Sequence, residues 1–290
     1  MPTPALRRAA AAASALAGTL ALGLTAAPAH AATPLNYVAL GDSYSAGSGV
    51  TPVDTSNLLC LRSTVNYPHV LAKATGASLT DVTCGGAETK DFTQSQYSGV
   101  APQLDAVNAN TGLVTLTIGG NDNSTFLSAI VDCGSAGVLS AGFGHPCKDK
   151  YGTSFDDAID ANTYPALKSA LTALRAKAPN ARVAVLGYPW IVPSAFDASC
   201  FLKLPIASGD IPYLRALQAH LNSVVQRAAQ ETGATYVDFS QASNGHDACQ
   251  PSGTRWIEPL LFGSNIVPVH PNALGEQQMA ERTMSVMGLG

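Results

Sequence analysis

Three short blocks of this chain carry residue types that together could perform acyl transfer: Gly41-Asp42-Ser43-Tyr44-Ser45-Ala46-Gly47, Cys84-Gly85-Gly86-Ala87 and Gly119-Gly120-Asn121-Asp122. Each directly follows an apolar run that reads as a strand, and in open α/β sheets ligands collect beyond the carboxyl ends of the strands. A serine at the start of a strand-to-helix turn exposes its hydroxyl and turns its own N–H toward the same space. A bare glycine N–H and an Asn side-chain amide on adjoining loops add two donors. A nucleophile with converging donors is what making a tetrahedral intermediate and holding its oxyanion requires. Singly, each block also reads as an ordinary turn, because Gly and Asn recur wherever positive φ is needed.

A serine needs a base. Of six histidines, His30 lies in the N-terminal leader-like segment, His69 and His220 in amphipathic helix-like stretches, and His145 and His246 in cysteine-bounded loops. His270 differs. It stands in Val267-Pro268-Val269-His270-Pro271-Asn272, where the prolines stiffen the loop and Asn272 can cap a following helix, so its imidazole is held at a defined place.

The elements that must position these groups follow from hydrophobic patterning. Runs at 37–40, 113–118, 182–186 and 235–239, rich in Val, Ile, Leu, Thr or Tyr, read as buried strands, with 79–83 a weaker fifth. Between them, 64–75, 160–177 and 210–231 read as helices, the last with Asp210 as N-cap, and 272–287 closes the chain as another. Regular alternation predicts a parallel sheet of about five strands with helices on both faces. No linker, repeat or charge block divides the chain, so one domain is expected. The stretches 132–159 and 240–270 read as loop-rich, and 134–144 as a glycine-rich rim or a disulfide-closed spacer.

Residues 1–31 carry Arg7 and Arg8, an uncharged Ala- and Leu-rich run from Ala9 to Ala27, and then Ala29-His30-Ala31. That order is a secretory signal peptide with its cleavage pattern, leaving a secreted, extracellular domain over 32–290. The rival reading, a membrane anchor, is disfavoured because the run barely reaches the roughly 18 to 20 residues a span needs. Only 12% of residues are charged and the formal charge is −4, so neither a disordered tail nor a nucleic-acid partner is indicated. Cys60, Cys84, Cys133, Cys147, Cys200 and Cys249 form an even set, which in an exported chain predicts three disulfides. Spacing leaves the connectivity open, although the 14-residue step from Cys133 to Cys147 closes most easily, restricting the unfolded chain by about 3 kcal/mol. No C-x-x-C or H-x-x-x-H pair points to zinc, and no metal or cofactor is expected.

These blocks, in this order, resemble the SGNH (GDSL) hydrolases, named for Ser, Gly, Asn and His, and especially their secreted actinobacterial lipases and esterases. The resemblance includes a late His270-Pro-Asn-x-x-Gly-x-x-x-x-Ala280 and spans nearly the whole chain after the leader. It implies a three-layer α/β/α sandwich of flavodoxin-like type, with Ser43 as nucleophile and His270 as base and then acid. It further implies an oxyanion hole of the Ser43 N–H, the Gly86 N–H (or that of Gly85) and the Asn121 amide. In such relatives the cysteines pair in sequence order, implying Cys60 with Cys84, Cys133 with Cys147 and Cys200 with Cys249. The G-x-S-x-G elbow of α/β-hydrolases is absent, since Ser45 stands where its second glycine would be.

One position departs from the family pattern. The usual Asp three residues before the histidine is Val267 here. The expectation is therefore a Ser43–His270 dyad whose second imidazole nitrogen is oriented by the Val267 main-chain carbonyl or a neighbouring one, with Asp238 and Glu258 the rival carboxylates.

An apolar wall beside the oxyanion donors is needed to hold an acyl chain, and Phe126, Leu127, Trp190, Ile191, Val192, Trp256, Ile257, Leu260, Leu261 and Phe262 all lie just past strand runs or ahead of His270. The expected function is a monomeric, secreted lipase or esterase acting on fatty-acyl esters of the triacylglycerol type, its partner a lipid or ester substrate at a lipid–water interface. Phospholipase A1 is the nearest alternative, then an acetylesterase acting on polysaccharide. An inactive serine-hydrolase fold serving as a binding module is the reading from another class.

Overall fold

Parallel strands buried on both faces carry apolar residues without alternation, and the five strands of the computed structural model follow the runs seen in the sequence. The structure describes residues 34–289, and Met1; the leader reading of residues 1–31 therefore lies outside the described residues. The strands are β1 (Asn36–Gly41), β2 (Ser78–Asp81), β3 (Leu113–Thr117), β4 (Arg182–Leu186) and β5 (Thr235–Val237). All pair in parallel, in the order β2-β1-β3-β4-β5. Every residue of β3 is buried, whereas edge strand β2 alternates between exposed and half-buried positions, which is why it reads more weakly.

The helices are α1 (Ser43–Ala46), α2 (Tyr67–Thr75), α3 (Thr125–Leu139), α4 (Pro146–Tyr151), α5 (Ser154–Ala158), α6 (Tyr164–Lys177), α7 (Ile211–Glu231) and α8 (Ala273–Met287). From β1 the chain steps outward to β2, and from β3 it steps the other way to β4 and β5. Right-handed crossovers then put α2 on one face and α6 and α7 on the other. The packing agrees, since α2 meets α8 and α6 meets α7, completing the three-layer α/β/α sandwich. The direction reverses between β1 and β3, and the loops leaving their carboxyl ends bound the crevice where such sheets bind ligands.

Helix ends follow local chemistry. Asn66 caps α2, which stops at left-handed Gly76, and Asn272 caps α8 by accepting the Gly275 N–H at 3.0 Å. Asp210 precedes α7 as expected but does not cap it. Its carboxylate accepts instead from the Cys147 and Lys148 N–H groups, both at 2.9 Å, and so caps α4 from a distance. The stretch 132–159 is a correction too, being largely helical rather than loop. Gly134 and Gly137 lower intrinsic helix propensity there, but a Cβ at Gly137 would lie 2.0 Å from the Pro205 carbonyl, so that close approach needs glycine and repays it in packing. The three disulfides join Cys60 to Cys84, Cys133 to Cys147 and Cys200 to Cys249, in sequence order. No helix among the described residues is long and apolar enough to cross a membrane.

Leu116, fully buried at the centre of β3, tests the core. Leu116→Ala is expected to destabilise the fold by about 2–5 kcal/mol, read as a lowered urea midpoint with an unchanged slope.

Candidate active site

Ser43 is the first residue of α1, immediately after β1, and its position follows from how the preceding aspartate is held. Asp42 is the N-cap of α1: its Oδ1 accepts the Tyr44 N–H at 3.0 Å and the Thr117 hydroxyl at 2.7 Å. Its Oδ2 accepts the Tyr188 hydroxyl, and its own N–H donates to the Thr117 carbonyl at 2.9 Å. Burial pushes the Asp42 carboxyl up to about 6 despite these donors. Gly41 must be glycine, because a Cβ there would fall 2.3 Å from the Thr117 carbonyl oxygen. The turn is thus clamped to the end of β3, with the Ser43 side chain facing the crevice.

His270 arrives from the other side. Its Nε2 lies 2.7 Å from Ser43 Oγ and its Nδ1 2.7 Å from the Pro268 carbonyl oxygen. A carbonyl only accepts, so Nδ1 carries the proton and Nε2 presents its lone pair to the serine hydroxyl. The orienting acceptor is therefore Pro268, not Val267. Val269 takes a left-handed conformation with φ +52°, which turns the chain so that the carbonyl two residues back, rather than three, faces the ring. The Tyr44 hydroxyl donates to the Val269 carbonyl at 2.7 Å and holds that strained turn. Burial lowers the His270 pKa below its ordinary 6.5, against the opposing effect of the Pro268 carbonyl.

Neither rival carboxylate reaches the imidazole. Asp238 is exposed and closes a local turn on Ser240, accepting from its N–H at 2.8 Å and its hydroxyl at 2.9 Å. Glu258 is buried and splints the loop that carries His270. Burial acts to raise its carboxyl, but the Arg255 guanidinium, the Ser264 N–H and the Asn272 amide hold it at about 2. Its own N–H donates to the His270 carbonyl at 2.9 Å. The other histidines in the described chain lie elsewhere: His69 pairs with Asn66, His145 with Asp149, His246 stacks on Trp256, and His220 Nε2 lies 3.1 Å from Asp160.

Of the adjoining glycines, Gly85 donates its N–H to the Cys60 carbonyl at 2.8 Å, whereas the Gly86 N–H makes no hydrogen bond among the described residues. The Ser43 N–H is likewise unengaged there. Asn121 uses one amide hydrogen on the Ala87 carbonyl at 3.1 Å and has a second to give. Asp122 keeps the two loops together, its carboxylate accepting from the Thr89 N–H at 2.9 Å and the Thr89 hydroxyl at 3.0 Å.

A cleft opens beside Ser43 and His270, with Asn121 in its wall. Of the apolar candidates, Phe126, Leu127 and Ile191 line it, together with Ile130, Tyr44, Tyr188 and Val269. Trp190, Val192, Trp256 and Ile257 are packed inside the protein: the Trp190 indole N–H donates to the Ser240 carbonyl at 2.7 Å with the Arg215 guanidinium 4.0 Å over its ring. Leu260 packs toward Gly134, while Leu261 and Phe262 are exposed. Among the described residues no three His, Cys, Asp or Glu side chains gather as a metal site. The parts sequence reading missed are Tyr188, Asp122 and the splinting role of Glu258. Only the Asp after Asn121 carries a signal, its place in the block.

The doubly wound parallel sheet thus carries a serine–histidine contact at its reversal point, where such sheets bind ligands. Residues 39–278 match the GDSL-like lipase/acylhydrolase family. The chain is 72% identical to Lipase 2 of Streptomyces coelicolor, over the full length of both, and 35% identical to a Streptomyces rimosus lipase, covering 94% of this chain and 96% of that one. Phospholipase A1 of Streptomyces albidoflavus NA297 superposes with a TM-score of 0.71 at 29% identity, covering 88% of this chain and 99% of its own; the extracellular lipase of Streptomyces rimosus gives 0.68, also at 29% identity, covering 87% and 99%. The chain belongs to the GDSL-like lipase/acylhydrolase family and is a carboxylic ester hydrolase.

Removal of a triad acid costs about 10⁴ in kcat. Asp238→Asn is expected to leave ester turnover within about threefold of wild type. Glu258→Gln should lose far less than 10⁴ in kcat but about 3–5 kcal/mol of stability, because it leaves buried Arg255 without its partner. Steady-state hydrolysis of a soluble ester and urea unfolding check both.

Proposed function

We propose that the protein hydrolyses fatty-acyl carboxylic esters, of the triacylglycerol type, through an acyl-enzyme on Ser43. The observation that carries this reading is the 2.7 Å contact between His270 Nε2 and Ser43 Oγ at the mouth of an apolar cleft. His270 takes the serine proton as Oγ attacks the ester carbonyl, then gives it to the leaving alcohol. A water follows the same route in reverse to release the fatty acid. The oxyanion formed in each half-reaction accepts from the Ser43 N–H, the Gly86 N–H and the Asn121 side-chain amide. Phe126, Leu127, Ile130 and Ile191 bury the acyl chain, at about 0.8 kcal/mol per methylene removed from water. The leader-like residues 1–31, the three disulfides and the kinship with an extracellular Streptomyces lipase support export of the enzyme.

The test is hydrolysis of p-nitrophenyl esters from acetyl to palmitoyl. Rates are expected to rise toward medium or long chains, to vanish in Ser43→Ala, and to fall by about 10²–10³ in kcat for Asn121→Ala. Turnover confined to acetyl and butyryl esters would overturn the fatty-acyl reading in favour of a short-chain or carbohydrate esterase. A higher kcat/KM on phosphatidylcholine than on triolein would make it a phospholipase, as its Streptomyces albidoflavus structural neighbour is named.

The base must be neutral to accept the serine proton. Because burial lowers the His270 pKa, kcat/KM should rise with pH through an acid limb centred below 6.5. A limb centred above 6.5 would mean that a carboxylate supports the imidazolium after all.

A further inference from the structure

The Tyr188 hydroxyl touches both halves of the site and belongs to neither. It donates to Asp42 Oδ2, next to Ser43, and accepts the Gly120 N–H at 2.9 Å, next to Asn121. All three residues are buried at the edge of the cleft, so losing one of these bonds leaves a largely desolvated polar group without its partner. Tyr188 is itself held rigidly just past β4. Asn222 on α7 accepts the Tyr188 N–H at 2.8 Å and donates to its carbonyl at 3.0 Å, and the Tyr44 ring meets the Tyr188 ring edge-on at 5.1 Å.

We propose that Tyr188 is a positioning residue which sets the distance between the Ser43 turn and the Asn121 amide, so that the oxyanion donors converge on one point. The inference rests on the oxyanion role given to Asn121 above. One oxygen acting as donor to the first loop and acceptor from the second fixes both loops to one atom, and the Gly119–Gly120 peptide it holds lies one residue ahead of Asn121. Without the hydroxyl, the Gly120 N–H has no buried acceptor and the Asn121 loop is free to shift, whereas the Asp42 carboxylate beside Ser43 keeps the Tyr44 N–H and Thr117 hydroxyl, and His270 keeps its contact with Pro268.

A double-mutant cycle between Tyr188→Phe and Asn121→Ala tests this, using p-nitrophenyl butyrate turnover and inhibition by an alkyl trifluoromethyl ketone, which forms a tetrahedral adduct on serine. Tyr188→Phe is expected to lower kcat/KM by 10–100-fold and to weaken the ketone by a similar factor. In the Asn121→Ala background the same change should cost less than threefold, since the group it positions is gone. A full additional loss in that background, or unchanged activity in Tyr188→Phe, overturns the proposal. If Asn121→Ala alone leaves kcat/KM intact, the oxyanion assignment itself fails and this inference with it. Should Tyr188→Phe not retain the native near-ultraviolet circular dichroism, the cycle is run with 4-aminophenylalanine at 188. Its aniline nitrogen still donates to Asp42 but is a poor acceptor for the Gly120 N–H, so the same non-additive loss is expected and its absence counts against the proposal.

Discussion

A single buried carboxylate, that of Asp42, is the constraint on which the site is built. Three donors from three different segments converge on it: the Tyr44 N–H of the Ser43 turn, the Thr117 hydroxyl at the end of β3 and the Tyr188 hydroxyl past β4. A carboxyl group taken out of water is costly unless its lone pairs are filled, so the fold has to bring the ends of β1, β3 and β4 to the same place. Satisfying Asp42 and assembling the crevice are one geometric problem. The sheet order solves it, because β1 and β3 are neighbours at the reversal point and β4 pairs with β3.

The histidine loop meets a different constraint. With no acid three residues upstream, the imidazole is oriented by a peptide carbonyl, which fixes the tautomer without stabilising the imidazolium as a full negative charge would. That arrangement, with burial, favours the neutral imidazole. The loop contains a β-branched residue at positive φ, Val269, a conformation of order 1–3 kcal/mol above relaxed backbone. It persists because the surroundings over-determine it: Tyr44 holds the Val269 carbonyl, the Glu258 N–H holds the His270 carbonyl, and the Glu258 carboxylate ties Arg255, Ser264 and Asn272 together behind the ring.

The loops carrying Gly86 and Asn121 are fastened covalently and by side chains rather than by the sheet. The Cys60–Cys84 disulfide delivers the Gly85–Gly86 turn, and the Cys60 carbonyl occupies the Gly85 N–H, so among the described residues Gly86 is the glycine whose N–H is unengaged. Asp122 and Asn121 then lock that turn to the β3 loop through Thr89 and Ala87. Phe126, Leu127 and Ile130 of the cleft's apolar side come from α3, which begins just after the Asn121 block, so Asn121 and that apolar surface share one stretch of chain.

What the sequence by itself determined is local. Strands buried on both faces read as apolar runs, Ser43 and Asn121 follow two of those runs directly, and Asn272 marks the helix beside His270. Each signal is carried by neighbouring residues and survives without knowledge of the fold. Other features required the tertiary structure, because they depend on which distant group fills a hydrogen-bond vacancy. Pro268 rather than Val267 orients the histidine through a backbone twist that no residue type announces. Gly86 is distinguished from Gly85 only by a carbonyl 25 residues away in sequence. Helix α3 forms through glycines because the Pro205 backbone packs against Gly137, and Asp210 caps a helix other than its own. Tyr188 follows a strand without any motif to mark it, and its hydroxyl acquires a role only when folding brings Asp42 and Gly120 to either side. Propensity and spacing act over a few residues, whereas the satisfaction of buried polar groups is settled across the whole core.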